Sequence, residues 1–374
     1  MSAAYDCIIV GAGPAGIFAT LELLRKNPKL KVLIIEKGKD IDERQRKEIF
    51  SGWGGAGAFS DGKLTLSPDV GGFLGEYIGR EALTGLISYT DGLFIGFGAT
   101  NEVKGVDAER IPVFEQAAAK AGLRLMPNPI RHIGTDRCRG LLKNIRTELA
   151  GKAEMVFNKE VREVMAGPDG VKGVRTSDGD EYSARFVVLC PGRSGADWLQ
   201  RLAKAVGLDV AINPIDIGVR VEVPASVLSQ ATDVMHEAKL LYSSKRFDDP
   251  VRTFCMNPYG IVVRENHPGF STVNGHSFST KKSGNTNFAI LVSTTFTEPF
   301  HEPIAYGEYI ARLANLLGDG ILVQRLGDLQ HGRRSTRDRI EKGSVKPTLA
   351  DAVAGDLSFA IPYRHLSDIL EMIE

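Results

Sequence analysis

Gly11, Gly13 and Gly16, in the stretch Tyr5-Asp-Cys-Ile-Ile-Val-Gly-Ala-Gly-Pro-Ala-Gly16, have the spacing of a backbone that must come close to a phosphate. Gly11 suits the tight turn that follows a strand. Gly13 leaves no side chain between backbone and pyrophosphate, and Gly16 lets the next helix pack close on that strand. Pro14 and Ala15 open the helix, whose first free N–H groups form the positive pole an anion needs. Glu36, with Lys37 after it, closes a second apolar run, Lys31-Val-Leu-Ile-Ile-Glu36, twenty residues beyond Gly16. A carboxylate there can accept hydrogen bonds from both hydroxyls of an adenosine ribose, which favours a ribose without a 2′-phosphate. Glycine-rich turns also arise by chance, but here strand, glycines, helix and acid fall in the order that dinucleotide binding requires.

Two further segments point at the same cofactor. Ser51-Gly-Trp-Gly-Gly-Ala-Gly-Ala-Phe-Ser-Asp-Gly62 is too glycine-rich for regular structure and too apolar for a solvated linker. It reads as a loop laid against something flat, with Gly54, Gly55, Ala56, Gly57, Ser60, Asp61 and Gly62 as contacts; the alternative is a structural turn beside the first helix. Pro191-Gly192-Arg193-Ser194-Gly195 follows the apolar run Arg185–Cys190 and precedes a helix bearing Trp198. Pro191, Gly192 and Arg193 would approach the cofactor, unless Arg193 and Ser194 only cap that helix. Val161, at the head of a strand pattern, joins the same set.

Catalytic residues are less legible. Asn257, Tyr259, Arg264, Asn274 and His276 lie in two polar segments beside short strands and could line a substrate pocket, with His276 as acid or base. A single His is more often a satisfied structural residue. Arg333, Arg334, Arg337 and Arg339 could clamp an anionic substrate, although an internally paired charged face is the favoured account. Cys7, Cys138, Cys190 and Cys255 are too widely separated for a CxxC redox pair or a metal site, and no metal is expected.

The elements that must position these groups follow from periodicity. Pro14–Lys26 reads as a crossover helix ended by Asn27-Pro28. Asp40 to Phe50 is helix-compatible, and helices are expected near 112–122 and from Thr135. From Met155 three antiparallel strands are expected, with turns at Gly167-Pro-Asp-Gly170 and Ser177-Asp-Gly179 and the last strand returning to a parallel sheet. The predicted fold class is α/β: a Rossmann-like domain over 1–209 with parallel sheet and β-meander, and a β-rich α+β substrate domain over 210–345. Residues 346–374 are expected to return toward the first domain. At 374 residues and 43% hydrophobic content the chain can fill two cores. Lys plus Arg balances Asp plus Glu at 46 each, so no global field draws nucleic acid. The first strand follows Met1 closely and no apolar run approaches membrane-spanning length, so a cytoplasmic protein is expected.

NAD and FAD share the first fingerprint, but a meander and a second glycine turn follow it here in place of alternating βα units, which favours FAD. The chain resembles the two-dinucleotide-binding-domain flavoproteins, with Gly54-Gly55 and Asp180–Gly192 in the places of their glycine motifs. More closely, the blocks Gly52–Leu64, Cys190–Trp198, Phe254–Gly260, Val273–Ser277 and Gly355–Arg364 resemble a bacterial and archaeal family of uncharacterised FAD-dependent dehydrogenases. The resemblance covers nearly the whole chain and implies an oxidoreductase with bound FAD, exchanging a hydride between flavin N5 and a small molecule bound between the two domains. The substrate is open, an anionic one being one candidate, and NAD(P)H would visit transiently as electron donor. Two alternatives remain: a reductase of unsaturated isoprenoid or lipid-like substrates, and a non-catalytic flavin- or nucleotide-binding protein with a regulatory or RNA-associated role. Flavoproteins of this kind close with a further strand and a Gly-Asp motif at a helix start; no such segment precedes Glu374, which reads as a C-terminus lacking its last FAD-binding element.

Overall fold

A computed structural model of the chain describes residues 4–45, 48–168, 170–297 and 299–374. The chain divides into two compact units: Met1–Gly62 with Gly96–Ala99 and Thr135–Ala211, and Lys63–Ile95 with Thr100–Gly134 and Ile212–Glu374.

In the first unit, the β-branched runs predicted as strands form one six-stranded sheet. Its spatial order is Glu154–Val156, Val32–Ile35, Tyr5–Val10, Glu181–Leu189, Gly170–Thr176, Val161–Gly167. The first four are parallel, and the last two add on antiparallel as the meander. The parallel strands are apolar on both faces, and Ile8, Leu33, Ile35, Val161 and Val174 fill the core. Register decides the site: Val10 pairs with both Ile35 and Leu189, so Gly11, Glu36 and Cys190 leave the sheet side by side at its carboxyl edge. The helix Pro14–Lys26 starts there, with Pro14 in its first turn and Gly16, Ile17, Thr20 and Leu24 buried. Of the turn at Gly167–Gly170, Asp169 lies outside the described residues.

Asp40 to Phe50 does not form the expected helix. Arg46 and Lys47 lie outside the described residues; the others run as turns and irregular chain. The reason is Arg44, which turns inward and holds the surrounding backbone by its carbonyls instead of by helical hydrogen bonds.

The second unit is built on a five-stranded antiparallel sheet in the order Ile215–Pro224, Asn285–Thr294, Pro250–Asn257, Lys239–Ser243, Arg124–Met126. The hairpin Ile261–His267/Phe270–His276 and the pair Lys63–Thr65/Ile130–His132 accompany it. This partition differs from the expected boundaries, because 63–95 and 100–134 belong here and not with the first unit. The strand Arg124–Met126 extends the sheet edge beside Lys239, and Ile111, Ala118 and Leu125 share a core with Val234, Met235 and Met256. Three-residue strands carry too little periodicity to be read from sequence. Residues 346–374 likewise stay in the second unit. The helix Tyr363–Ile373 presses Ile369 and Met372 against Val251, Ile290 and Val292. Each of those two side chains contributes roughly 1.5–3 kcal/mol by burial.

That helix also carries Asp368, fully buried beside Asp249 and Glu371. Burial, reinforced by the neighbouring carboxylates, pushes the Asp368 carboxyl up to about 6, while Arg364 holds Asp249 below the usual range. A raised carboxyl means that the folded state binds the proton more tightly. The Asp368 contribution is therefore full below about pH 4 and is lost as pH rises through about 6. Asp249 acts oppositely, in the more acidic range. Asp368→Asn is expected to remove the decline, leaving the variant more stable than the parent above pH 6 by up to about 2 kcal/mol in urea unfolding. Parallel stability curves from pH 4 to 8 would refute this. Among the described residues, no helix is long and apolar enough to cross a membrane.

Candidate functional site

At the carboxyl edge of the first unit's sheet lies a cleft of about 330 Å³. Gly11, Gly13, Pro14, Glu36, Lys37, Gly55, Ala56, Gly57, Val161, Pro191, Gly192 and Arg193 line it, all expected from sequence. The floor is where three turns meet. A Cβ on Gly11 would stand 2.2 Å from the Cys190 carbonyl oxygen, and one on Gly16 would stand 2.0 Å from the Gly11 oxygen. Both glycines therefore allow close backbone approach, and Gly11 also has φ +105°. Gly13 is different: its nearest neighbour, Gly55 Cα, lies 3.9 Å from an added Cβ, so its missing side chain leaves open space. The Ala15 and Gly16 N–H groups lie in the first turn of the helix, where no intrahelical acceptor exists.

Glu36 is 6% exposed and serves the backbone first. Its Oε2 accepts from the Ala12 N–H at 2.8 Å, and its Oε1 accepts from Gly38 at 2.7 Å and Gly52 at 2.8 Å. A carboxylate has roughly four lone-pair positions, so about one remains, on Oε2. The expected pair of ribose hydroxyls exceeds what Glu36 has left, an acceptor position for one: the other positions knit the first glycine turn to the Trp53 loop. Arg44, missed by the sequence reading, completes that knot. It donates from Nη1 to the carbonyls of Trp53 at 2.7 Å and Gly55 at 2.8 Å, and from Nη2 to those of Glu48 at 2.7 Å and Ile49 at 3.0 Å. Burial lowers its guanidinium to about 10, opposed by Glu36 and Glu48, so it stays charged at neutral pH. Its signal in the sequence was only an arginine inside a charged segment.

The Trp53 loop divides its residues between two jobs. Trp53 is fully buried and donates from Nε1 to the Leu142 carbonyl, and a Cβ on Gly54 would strike Leu142, so both face the helix Thr135–Leu149. Gly55, Ala56 and Gly57 face the cleft from a short 3-10 helix, Gly55–Phe59, where irregular loop was expected. Gly54, Ser60, Asp61 and Gly62 do not line the cleft, nor do Ala15 and Gly16 through their side-chain positions. Ser60 instead accepts from the Gly62 N–H, and Asp61 is buried near Cys138, whose thiol burial raises to about 12. Ser194, which with Arg193 was the alternative between cofactor contact and helix cap, also lines the cleft, as do Phe50, Lys159 and Trp198, which nothing in the sequence marks. The Arg193 guanidinium lies 4.8 Å over the Phe50 ring, and Lys159 is held by Asp178 and Asp180.

In the second unit the structure sorts the polar candidates. Asn274 donates to Glu265 at 2.8 Å and shares its strand face with His276. Arg264 pairs across the hairpin with Val273, which puts it on the opposite face, where it binds Asp351 at 2.7 Å; it leaves the candidate set. Tyr259 has φ +52° and its ring lies under Lys282. Arg333 and Arg339 converge on buried Asp328, and Arg337 pairs with Glu341, which makes this run an internally paired face. Lys63, which follows the Trp53 loop, forms a buried ion pair with Glu237 at 2.7 Å and donates to the Met256 carbonyl at 2.8 Å. His132, whose ring lies 4.2 Å from that of His236 and which is bonded to Ser277, carries no signal in the sequence, since no spacing links the three.

Residues 214–371 match the model of a family described as FAD-dependent protein, C-terminal domain-like. An uncharacterized protein of Clostridium beijerinckii is 29% identical over 364 residues, covering 88% of this chain and 60% of the relative. The chain thus spans about 60% of the length of the curated relative it matches. Among solved structures, glycine oxidase from Bacillus cereus is 17% identical with a TM-score of 0.39, covering 81% of this chain and 76% of that one. L-amino acid deaminase from Proteus vulgaris is 11% identical with a TM-score of 0.40, covering 83% of this chain and 66% of that one. Those two likenesses are too remote to speak to substrate. The first unit's cleft offers what the ADP half of FAD requires: a helix N-terminus, a side-chain-free approach at Gly13 and a buried acid with one acceptor position left. Residues 214–371 are thus similar to the C-terminal domain of FAD-dependent proteins, and FAD is the cofactor to which that match points.

Proposed function

We propose that this chain is an FAD-dependent oxidoreductase whose first-unit cleft holds the ADP half of the cofactor. The observation that carries the reading is the convergence of Gly11, Glu36 and Cys190 at one sheet edge, with the N-terminus of the helix Pro14–Lys26 opening onto the same cleft. There the first-turn N–H groups would face the pyrophosphate, and the remaining Glu36 lone pair would take one ribose hydroxyl. Arg193 over Phe50 would border the cleft mouth. FAD, when bound, supplies the redox chemistry by exchanging a hydride at N5 with a small-molecule substrate. The protein's own part is to bind, orient and exclude water. NADH or NADPH is the proposed transient donor.

Gly13 separates folding from binding. At φ −78° an alanine is unstrained there, and its methyl would meet nothing closer than 3.9 Å. The same methyl would stand where the pyrophosphate must approach. Gly13→Ala is therefore expected to unfold within about 1 kcal/mol of the parent, while binding FAD roughly 10–100-fold more weakly, or about 1.4–2.8 kcal/mol. Flavin fluorescence titration beside urea unfolding measures both. Equal FAD affinity in parent and variant would remove the cleft from the flavin site. Anaerobic bleaching of the bound flavin by NADH, NADPH or a metabolite panel tests turnover, and no bleaching with any donor would sink the oxidoreductase reading.

A further inference from the structure

Arg220 is the one arginine of the second unit that is not exposed and yet has no carboxylate within ion-pairing distance, among the described residues. The other such arginines all have one: Arg131 pairs with Asp91, Arg252 with Asp216, Arg264 with Asp351 and Arg339 with Asp328. Instead, Arg220 donates from Nε to Asn287 Oδ1 at 2.8 Å and from Nη2 to the Cys255 carbonyl at 2.6 Å. A guanidinium has five donors. Those two bonds use two of the five, leaving three N–H donors on Nη1 and Nη2, and a guanidinium is the group that pairs best with the two oxygens of a carboxylate.

The surroundings hold that guanidinium still. Asn257, fully buried, donates to the same Cys255 carbonyl at 2.7 Å. A Cβ on Gly275 would come 1.8 Å from Arg220 Nη2, so the hairpin backbone lies directly against the guanidinium. The strand Pro250–Asn257 bulges between Phe254 and Asn257, and Cys255 and Tyr259 have φ of +47° and +52°, conformations that non-glycine residues adopt at a cost. Asn257 Oδ1 and Asn287 Nδ2 are sealed in the protein without hydrogen-bond partners, although both residues are 0% exposed. Strain, unspent amide groups and an uncompensated cation in one cluster are what a polar ligand site leaves behind, and they are poor choices for a purely structural core.

We propose that Arg220 anchors the carboxylate of a small organic acid, held in a fixed orientation by Asn257, Asn287 and the Cys255 bulge. Only the description of that acid as a substrate rests on the oxidoreductase reading. The Arg220 site itself is a binding claim. Calorimetric titration of the purified protein with acetate, benzoate and pyruvate is expected to show binding of at least one. Asn287→Asp supplies Arg220 with an internal carboxylate of nearly the same shape, and is expected to weaken that binding at least tenfold with the melting temperature held or raised. Arg220→Lys, which keeps the charge and loses the guanidinium, is expected to weaken it at least tenfold as well. No binding of any of the three acids to the parent protein would overturn the proposal, as would affinity unchanged in both variants. Inorganic phosphate bound more tightly than all three acids in an Arg220-dependent way would overturn the carboxylate assignment. Arg220-dependent acid binding in a protein that takes up no flavin would sink the FAD reading and leave this site standing.

Discussion

Gly11→Ala is expected to destabilise the first unit by about 3–5 kcal/mol, the sum of a forced positive φ and an overpacked contact. The alanine would have to adopt φ +105° with its methyl 2.2 Å from the Cys190 oxygen, in a place where all the neighbours are backbone. No side chain there can swing away. The strands on either side are pinned by Gly11 N–H to the Ile35 carbonyl at 2.8 Å and Cys190 N–H to the Val10 carbonyl at 2.8 Å. Relief therefore requires the edge of the parallel sheet to part, and the cleft with it. Urea unfolding should show a lower midpoint, and FAD titration should show little or no binding. A variant with the parent's midpoint would mean that the first and third turns do not meet as described.

Glu36→Ala carries the second large effect. Three backbone N–H groups, those of Ala12, Gly38 and Gly52, lose a charged acceptor in a place water reaches poorly. At about 1–3 kcal/mol for each donor left buried and unpaired, a total of about 3–5 kcal/mol is expected. Arg44, drawn partly by the Glu36 charge, loses a counter-ion at the same time. Glu36→Gln should fall between parent and alanine variant, because one amide oxygen can still accept from Gly38 and Gly52 while the amide nitrogen faces the Ala12 N–H. If Glu36→Ala lowers FAD affinity but leaves stability untouched, the residue acts as a ribose ligand alone. If both fall together, the knot of turns is the main role. That is why Gly13→Ala, and not Glu36→Ala, is the cleaner probe of the cofactor.

Legibility varied with how local the determinant was. The parallel strands and the helix Pro14–Lys26 were readable because apolar runs and glycine spacing are properties of consecutive residues. The lining roles of Gly55, Ala56 and Gly57 were readable for the same reason. The role of Trp53 was not legible, since nothing local in the sequence displays the Leu142 carbonyl to which its buried indole is bonded. Arg44 was read as helix surface because its acceptors are carbonyls, which a sequence does not display. Arg264 and Asn274 were grouped by proximity along the chain, and a hairpin register of one residue put them on opposite faces.

By itself the sequence determined that a strand, a glycine turn, a helix and an acid would occur in that order, and so which backbone would form the floor of the cleft. Only the tertiary structure decided what surrounds those groups. It turned Glu36 from a ribose ligand into the tie between two loops, placed 63–95 and 100–134 in the second unit, and left Arg220 as a half-buried cation without a carboxylate. The physical reason is range. Steric and propensity rules act over a few residues, whereas the partner of a buried charge is chosen by strand register and packing between segments far apart in the chain.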